Sequence, residues 1–199
     1  MLSTNAFALS ESTYKLPVRV HLISSKIAPL NAHLTDSKVR ELMERTNGIW
    51  EQADIEWQIE SIVRHPLPNE DRLIASFRSR GRVSPNQLFV SIMSGRRSAG
   101  VWNVYLVQDL TAIMGMPGVY VPGVQSLISS LRDPAGEGDP GRILAHELGH
   151  SLTLPHIRCT SEGNLMSPGC AANDRVRLSA DQIEAARSQA DKGEALRLF

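Results

Sequence analysis

The stretch DPGRILAHELGHSLTLPH, Asp139–His156, is the most informative part of this chain. Within it His146, Glu147 and His150 form the pattern H-E-x-x-H, and His156 follows six residues after the second histidine. On a helix, residues four apart lie one turn above each other on the same face. His146 and His150 can therefore bind one metal ion, and Glu147 lies beside them, within reach of a water on that ion.

The residues around this pattern predict a capped helix with one buried side. Asp139 is a suitable N-cap and Pro140 suits the first helical position. The apolar residues that give the helix its buried side are Ile143, Leu144 and Leu148. Gly149 inside the helix costs about 1 kcal/mol relative to alanine, so we expect a closely packed neighbour there.

Features downstream make the pattern more specific for a metal. Pro155 favours a sharp exit from the helix just before His156. Asn164–Met166 (NLM) lies ten residues beyond His156, and the turn-forming residues Ser-Pro-Gly come next. Three neutral imidazoles would leave zinc an open fourth position for water, as in catalytic sites. The alternative is three neighbouring histidines that bind no metal.

Upstream, hydrophobic periodicity predicts a strand, a long helix and a second strand. Val18–Ile23 alternates with period two, Asp36–Ala53 has apolar residues at helical spacing, and Ile55–Ile62 alternates again. This order indicates a βαβ unit with parallel strands and a right-handed connection. We expect His21 on the exposed face of the first strand, and His33 and His65 in loops, all three outside any metal site.

Four further segments have recognisable patterns. Asp71–Arg80 is consistent with a short helix, and the apolar run Leu88–Met93 with a strand. Val101–Val107 is apolar on both faces, which is typical of a central strand. A last helix has the capping box of Ser179 and Gln182 at its start.

The segment Val119–Val121 lies among glycines and prolines, which suit an edge strand rather than a central one. An edge strand beside a reactive site can pair with an extended peptide and recognise its backbone. The segment is equally consistent with a plain surface hairpin, and these residues do not decide between the two.

Composition excludes several classes of protein. The 199 residues suit one domain, and 21 basic and 21 acidic side chains cancel, so we expect no nucleic-acid partner. No apolar run approaches the roughly 18–20 residues of a membrane helix, and residues 1–15 lack the features of a signal peptide. We expect a monomer.

HELGHSLTLPH, His146–His156, followed by NLM, resembles the H-E-x-x-H-x-x-G-x-x-H motif and Met-turn of metzincin zinc proteases. Small matrixin-like or reprolysin-like members are the most similar. The resemblance implies an α/β (α+β) fold: a twisted mixed sheet with long helices, the active-site helix, and a small irregular C-terminal subdomain. The two subdomains would span about residues 16–152 and 153–199.

The resemblance also implies a role for each matching residue. His146, His150 and His156 would bind one Zn²⁺ ion, and Glu147 would be the general base for a metal-activated water. Met166 would form an apolar floor beneath the metal. The implied function is that of a zinc-dependent endopeptidase. The alternatives are a zinc hydrolase of a non-peptide amide or ester, and a catalytically silent relative that only binds peptides.

Thr153 departs from the motif, since it takes the position of the family glycine. That glycine lets the chain leave the helix sharply, and a positive φ is unfavourable for a β-branched residue. Either Thr153 keeps a negative φ and the turn differs, or the backbone is strained there.

Cys159 and Cys170 are the only cysteines, on either side of the NLM segment. A disulfide between them would stabilise this loop by about 3 kcal/mol and would indicate a secreted or periplasmic protein. The alternatives are two reduced thiols, or Cys159 as a metal ligand in place of His156.

Overall fold

A computed structural model describes residues 14–80, 83–93, 97–132, 139–159, 163–168 and 176–193. These residues form five strands and six helices. In chain order they are β1 (Tyr14–Ser24), α1 (Asp36–Trp50), β2 (Ile55–Pro66), α2 (Glu70–Arg80), α3 (Pro85–Met93), β3 (Trp102–Val107), α4 (Thr111–Met114), β4 (Gly118–Val121), β5 (Ser126–Ser130), α5 (Pro140–Ser151) and α6 (Ala180–Ala190).

The strands form one mixed sheet in the order β2-β1-β3-β5-β4. β1 is parallel to both β2 and β3, and β3 is parallel to β5, so the predicted βαβ unit is confirmed. β3 is buried along its whole length at the centre of the sheet, as predicted. β4 pairs antiparallel with β5 at the edge, which confirms the predicted edge strand. The mixed α/β fold is therefore the one that the sequence implied.

Side chains of α1 fix the position of α5 through its main chain. The Thr46 hydroxyl donates to the carbonyl of Gly141, and Trp50 Nε1 donates to the carbonyl of Ala145, both at 3.3 Å. At the start of α5, Asp139 caps the helix by accepting the N–H of Arg142. The main core lies between these two helices and one face of the sheet. The helix that carries the H-E-x-x-H pattern is thus anchored along its length.

The opposite face of the sheet is covered by α3 and neighbouring segments, which form a second core. The strand predicted for Leu88–Met93 is wrong, because these residues belong to helix α3. The Ser84 hydroxyl accepts the N–H of Gln87, and Pro85 begins the helix. Leu88, Ser91 and Ile92 are buried, which is helical spacing. A continuous apolar run fits a buried strand and a buried helix equally well.

The second core also explains why two histidines were misplaced. His21 is 1% exposed, stacked on Tyr105 at 4.3 Å between ring centroids, because both faces of β1 are covered. His65 is buried in β2, which continues beyond Ile62 to Pro66. His33 is exposed outside any helix or strand, as expected.

No helix among the described residues is long and apolar enough to cross a membrane. The boundary between subdomains near residue 152 stays a prediction.

Candidate metal centre

Three imidazoles converge at the C-terminal end of α5. The Nε2 atoms of His146 and His150 lie 3.2 Å apart, and that of His156 lies 3.1 and 3.0 Å from them. A tetrahedral zinc ion with Zn–N bonds of about 2.0–2.1 Å separates its nitrogens by about 3.3 Å. Among the described residues, this is the only cluster of metal-ligating side chains of this kind. The three histidines named from the sequence are therefore brought together with the spacing that a metal requires.

Two main-chain carbonyls orient the imidazoles. His146 Nδ1 donates to the carbonyl of Leu165, and His150 Nδ1 donates to the carbonyl of Leu154, both at 2.8 Å. Because a carbonyl can only accept, each Nδ1 carries the proton and each Nε2 presents its lone pair to the centre of the cluster. Such partners are typical of metal-ligating histidines, because they fix the tautomer and the ring orientation.

Burial keeps the imidazoles of His146 and His150 in the form that binds a metal. The pKa of His146 is lowered to about 4, chiefly by burial and to a smaller extent by the neighbouring His150, His156 and Arg142, while the Leu165 carbonyl opposes the shift. Burial also lowers the pKa of His150. A metal ion must otherwise displace a proton from a ligand, so both histidines are ready to bind near neutral pH.

The backbone of Thr153 is strained, which is one of the two possibilities expected from the sequence. It has φ of +73°, in the left-handed region. Its N–H donates to the carbonyl of His150, and the N–H of Leu154 donates to that of Gly149, which together form a Schellman motif. The sharp helix exit is therefore retained with threonine in the glycine position. The motif places the Leu154 carbonyl against His150 and lets the chain return to His156.

Met166 lies directly beneath α5. It is fully buried, and a Cβ built on Gly149 would lie 2.7 Å from its sulfur. The neighbour expected for this helical glycine is thus the methionine of the NLM segment. The turn is closed by hydrogen bonds from Met166 N–H to Asn164 Oδ1 and from Ser167 N–H to the Asn164 carbonyl.

Glu147 is 5% exposed and packs against the edge strand. Burial raises the pKa of its carboxyl to about 8, although a hydrogen bond from the main-chain N–H of Tyr120 opposes the shift. A Cβ built on Gly118 would lie 2.5 Å from Glu147 Oε1. The carboxylate thus occupies the space that a side chain at position 118 would need.

A cavity of about 850 Å³ lies over the cluster, between β4, α5 and the segments that carry His156 and Leu165. Ser130 N–H donates to the Pro117 carbonyl, which sets the register of the β4–β5 pair. Alternate residues of an antiparallel strand direct their N–H and C=O to opposite sides. Gly118 and Tyr120 therefore turn these groups to the outer edge, where the Tyr120 N–H meets Glu147.

Several of these contributors were not predicted from the sequence. The Leu154 and Leu165 carbonyls and the Tyr120 N–H are main-chain groups, which every residue type supplies except that proline lacks the N–H. Gly118 stood in a stretch rich in glycine and proline, where one glycine cannot be distinguished from the others. A strand register would have been needed to identify it.

The Cys159–Cys170 disulfide stays a prediction, since Cys170 lies outside the described residues. Cys159 does not belong to the histidine cluster, whose third member is His156, as preferred from the sequence.

No protein-family model matches the chain, and no curated protein matches it. Solved structures do. Archaemetzincin from Methanopyrus kandleri superposes with a TM-score of 0.57 at 16% identity, over 92% of this chain and 99% of that one. Metalloproteinase-II from Bacteroides fragilis gives 0.50 at 17%, over 96% of this chain and 56% of that one. A chain in a chaperone–substrate complex gives 0.52 at 13%, over 91% of this chain and 34% of that one.

At these identities the likeness shows the fold alone. The chain has the fold of archaemetzincin. The fold does not specify a function, so the chemistry must be argued from the histidine cluster itself.

Proposed function

We propose that the protein is a zinc-dependent endopeptidase of the metzincin type, similar to its small matrixin-like or reprolysin-like members. The observation that carries this proposal is the convergence of three imidazole Nε2 atoms beside one buried carboxylate, in a cavity bordered by an edge strand. The likeness in fold to two metalloproteinases supports it.

The residues present fit Zn²⁺. His146, His150 and His156 would be its ligands, since neutral imidazole is a preferred zinc donor and three ligands leave a position open. When bound, zinc supplies Lewis acidity that polarises a carbonyl and lowers the pKa of water toward about 7.

Glu147 would hold and move the proton. A divalent cation nearby favours the ionised carboxylate, and so lowers the pKa that burial raises. The carboxylate can then accept a proton from the attacking water and deliver it to the leaving amine. The Tyr120 N–H keeps the carboxylate oriented while it does so.

We propose that the substrate is an extended peptide paired with β4. The outer edge of β4 presents the main-chain N–H and C=O of Gly118 beside the cluster, and such groups recognise a backbone whatever its sequence. This favours a peptide over the non-peptide amide or ester that the same chemistry could hydrolyse. The silent alternative required Thr153 to spoil the third ligand, and His156 lies within 3.1 Å of both partners.

Metal content by elemental analysis, combined with cleavage of a generic protein substrate, tests the proposal. Glu147→Ala is expected to retain zinc and lose about 10²–10⁴-fold in kcat, as expected for loss of a general base. His33→Ala changes an exposed histidine outside the cluster and should retain both zinc and activity. Wild-type protein that binds no zinc at micromolar free metal would refute the proposal.

Peptides of increasing length separate the peptidase from an amide or ester hydrolase. If the substrate pairs with β4, kcat/KM should rise with each added residue that reaches the strand, and N-methylation of a paired amide should abolish the gain. Equal kcat/KM for a short acyl amide and a hexapeptide would favour the alternative.

A further inference from the structure

The carbonyl that orients His146 belongs to a turn that is itself held by the last helix. The Leu165 carbonyl accepts a hydrogen bond from His146 Nδ1 at 2.8 Å, and Leu165 lies in the turn formed by residues 164–167. The position of this turn therefore sets the direction of the His146 ring. Whatever holds the turn acts on the metal ligand.

Asn164 and Gln182 hold the turn through a buried pair of amides. Asn164 Nδ2 donates to Gln182 Oε1 at 2.7 Å, and Gln182 Nε2 donates back to Asn164 Oδ1 at 3.3 Å. The same Asn164 Oδ1 accepts the N–H of Met166 at 2.8 Å. Both amides are buried, so each of these groups would be costly to leave without a partner.

The side chain of Gln182 also has a second role, at the start of α6. Its Oε1 accepts the N–H of Ser179 at 2.9 Å and so completes the capping box at the start of α6. Glutamate fills this capping position as well as glutamine does. The capping role alone could therefore be filled by either residue. The bond to Asn164 needs the amide of glutamine, because an ionised carboxylate has no hydrogen to donate.

We propose that the Asn164–Gln182 amide pair is a positioning element for the metal centre, through which helix α6 fixes the Leu165 carbonyl and hence His146. This rests on the proposed function, since it assigns His146 as a ligand. A direct main-chain link supports the coupling: the N–H of Leu165 donates to the carbonyl of Arg177, in the segment that leads into α6. Neither amide contacts the reacting atoms, so both are positioning residues.

Two substitutions on the same helix separate positioning from folding. Gln182→Glu keeps the acceptor for Ser179 N–H but sets a carboxylate oxygen against Asn164 Oδ1. Ser179→Ala removes the hydroxyl that accepts the N–H of Gln182 and leaves the amide pair intact. Both should lower the urea midpoint of unfolding, because both weaken interactions at the start of α6.

Zinc affinity, measured by competition with a chelator, should distinguish them. Loss of a partner that orients a ligand costs about 10–100-fold in metal affinity. We expect Gln182→Glu to lose at least tenfold and Ser179→Ala to stay within twofold of wild type. Unchanged affinity in Gln182→Glu, or an equal loss in Ser179→Ala, would overturn the proposal.

Hydrogen exchange on the metal-free protein keeps this test independent of the proposed function. The main-chain N–H groups of residues 163–167 should exchange faster in Gln182→Glu and at the wild-type rate in Ser179→Ala. If wild type binds no zinc, the endopeptidase proposal fails. The exchange rates then still decide whether the amide pair holds the turn, and equal rates in Gln182→Glu and wild type would refute it.

Discussion

Thr153→Gly should stabilise the protein, because it removes a strained backbone conformation. A non-glycine residue in the left-handed region costs about 1–2 kcal/mol. Glycine loses more conformational freedom on folding, which offsets about 0.4–1 kcal/mol of this gain. The threonine side chain is exposed, so its removal sacrifices little packing. The net gain expected is about 0–1.6 kcal/mol, centred at about 0.8 kcal/mol, which corresponds to a rise in Tm of about 2–3 °C for a chain of this size.

Urea unfolding of the metal-free protein measures this gain directly, and thermal unfolding gives the shift in Tm. Thr153→Asn is the matched variant, since asparagine tolerates the left-handed region without the added freedom of glycine, and it should stabilise as well. Zinc affinity should stay within twofold of wild type, because the Schellman motif and the Leu154 carbonyl are retained. A Thr153→Gly protein that is less stable than wild type would show that Thr153 is not strained.

Three further predictions use the same assays. Gly149→Ala should cost about 1–3 kcal/mol through its clash with Met166, and the helical gain of about 1 kcal/mol offsets part of this, so the net loss should be about 1 kcal/mol and at most about 2 kcal/mol; a raised urea midpoint would contradict this. Asp139→Ala should cost about 1–2 kcal/mol through loss of the α5 cap, whereas Asp139→Asn keeps the cap and should lose only the ion pair with Arg45, about 0.2–1 kcal/mol. In the metal-free protein, the free energy of unfolding should decrease between pH 5 and pH 8, and Glu147→Gln should make this decrease smaller.

The sign of that pH effect follows from the direction of the shift. Burial raises the pKa of Glu147 to about 8, above the value of about 4.3 in an unfolded chain. The folded protein therefore binds this proton more tightly, and the stability that results is complete below about pH 4.3 and is lost as the pH rises to about 8. Urea midpoints at pH 5, 6.5 and 8 measure how stability depends on pH in wild type and in Glu147→Gln. An equal pH dependence in the two proteins would contradict a raised pKa for Glu147.

Local chemistry made much of the fold predictable. The N-cap and proline of α5, the capping box of α6 and the alternation of β1 are short-range signals, and each produced the element expected. Leu88–Met93 failed because a continuous apolar run has no period that separates helix from strand. The prediction that His21 is exposed was wrong for a different reason. Alternation shows that a strand has two faces, but it does not show that helix α3 and its neighbours cover the second face.

The candidate site divides in a similar way. Its side-chain chemistry was visible at fixed spacing in His146, Glu147 and His150, and His156 followed at a familiar offset. The groups that orient them come from tertiary structure, since the Leu165 carbonyl lies 19 residues along the chain from His146. The capping role of Gln182 was legible from the sequence, but its bond to Asn164 was not, because nothing local joins positions 164 and 182.

Gly118 has a consequence for how this protein could be altered. Its Cα faces the Glu147 carboxylate so closely that any other residue would displace the carboxylate or the strand. In a library that randomises the rim of the cavity, the exposed Met116 should accept many side chains, whereas position 118 should return only glycine among active clones. The strand that would bind a substrate and the carboxylate that would react with it occupy adjoining space at Gly118. A larger residue at position 118 would therefore change the position of the Glu147 carboxylate as well as the binding surface.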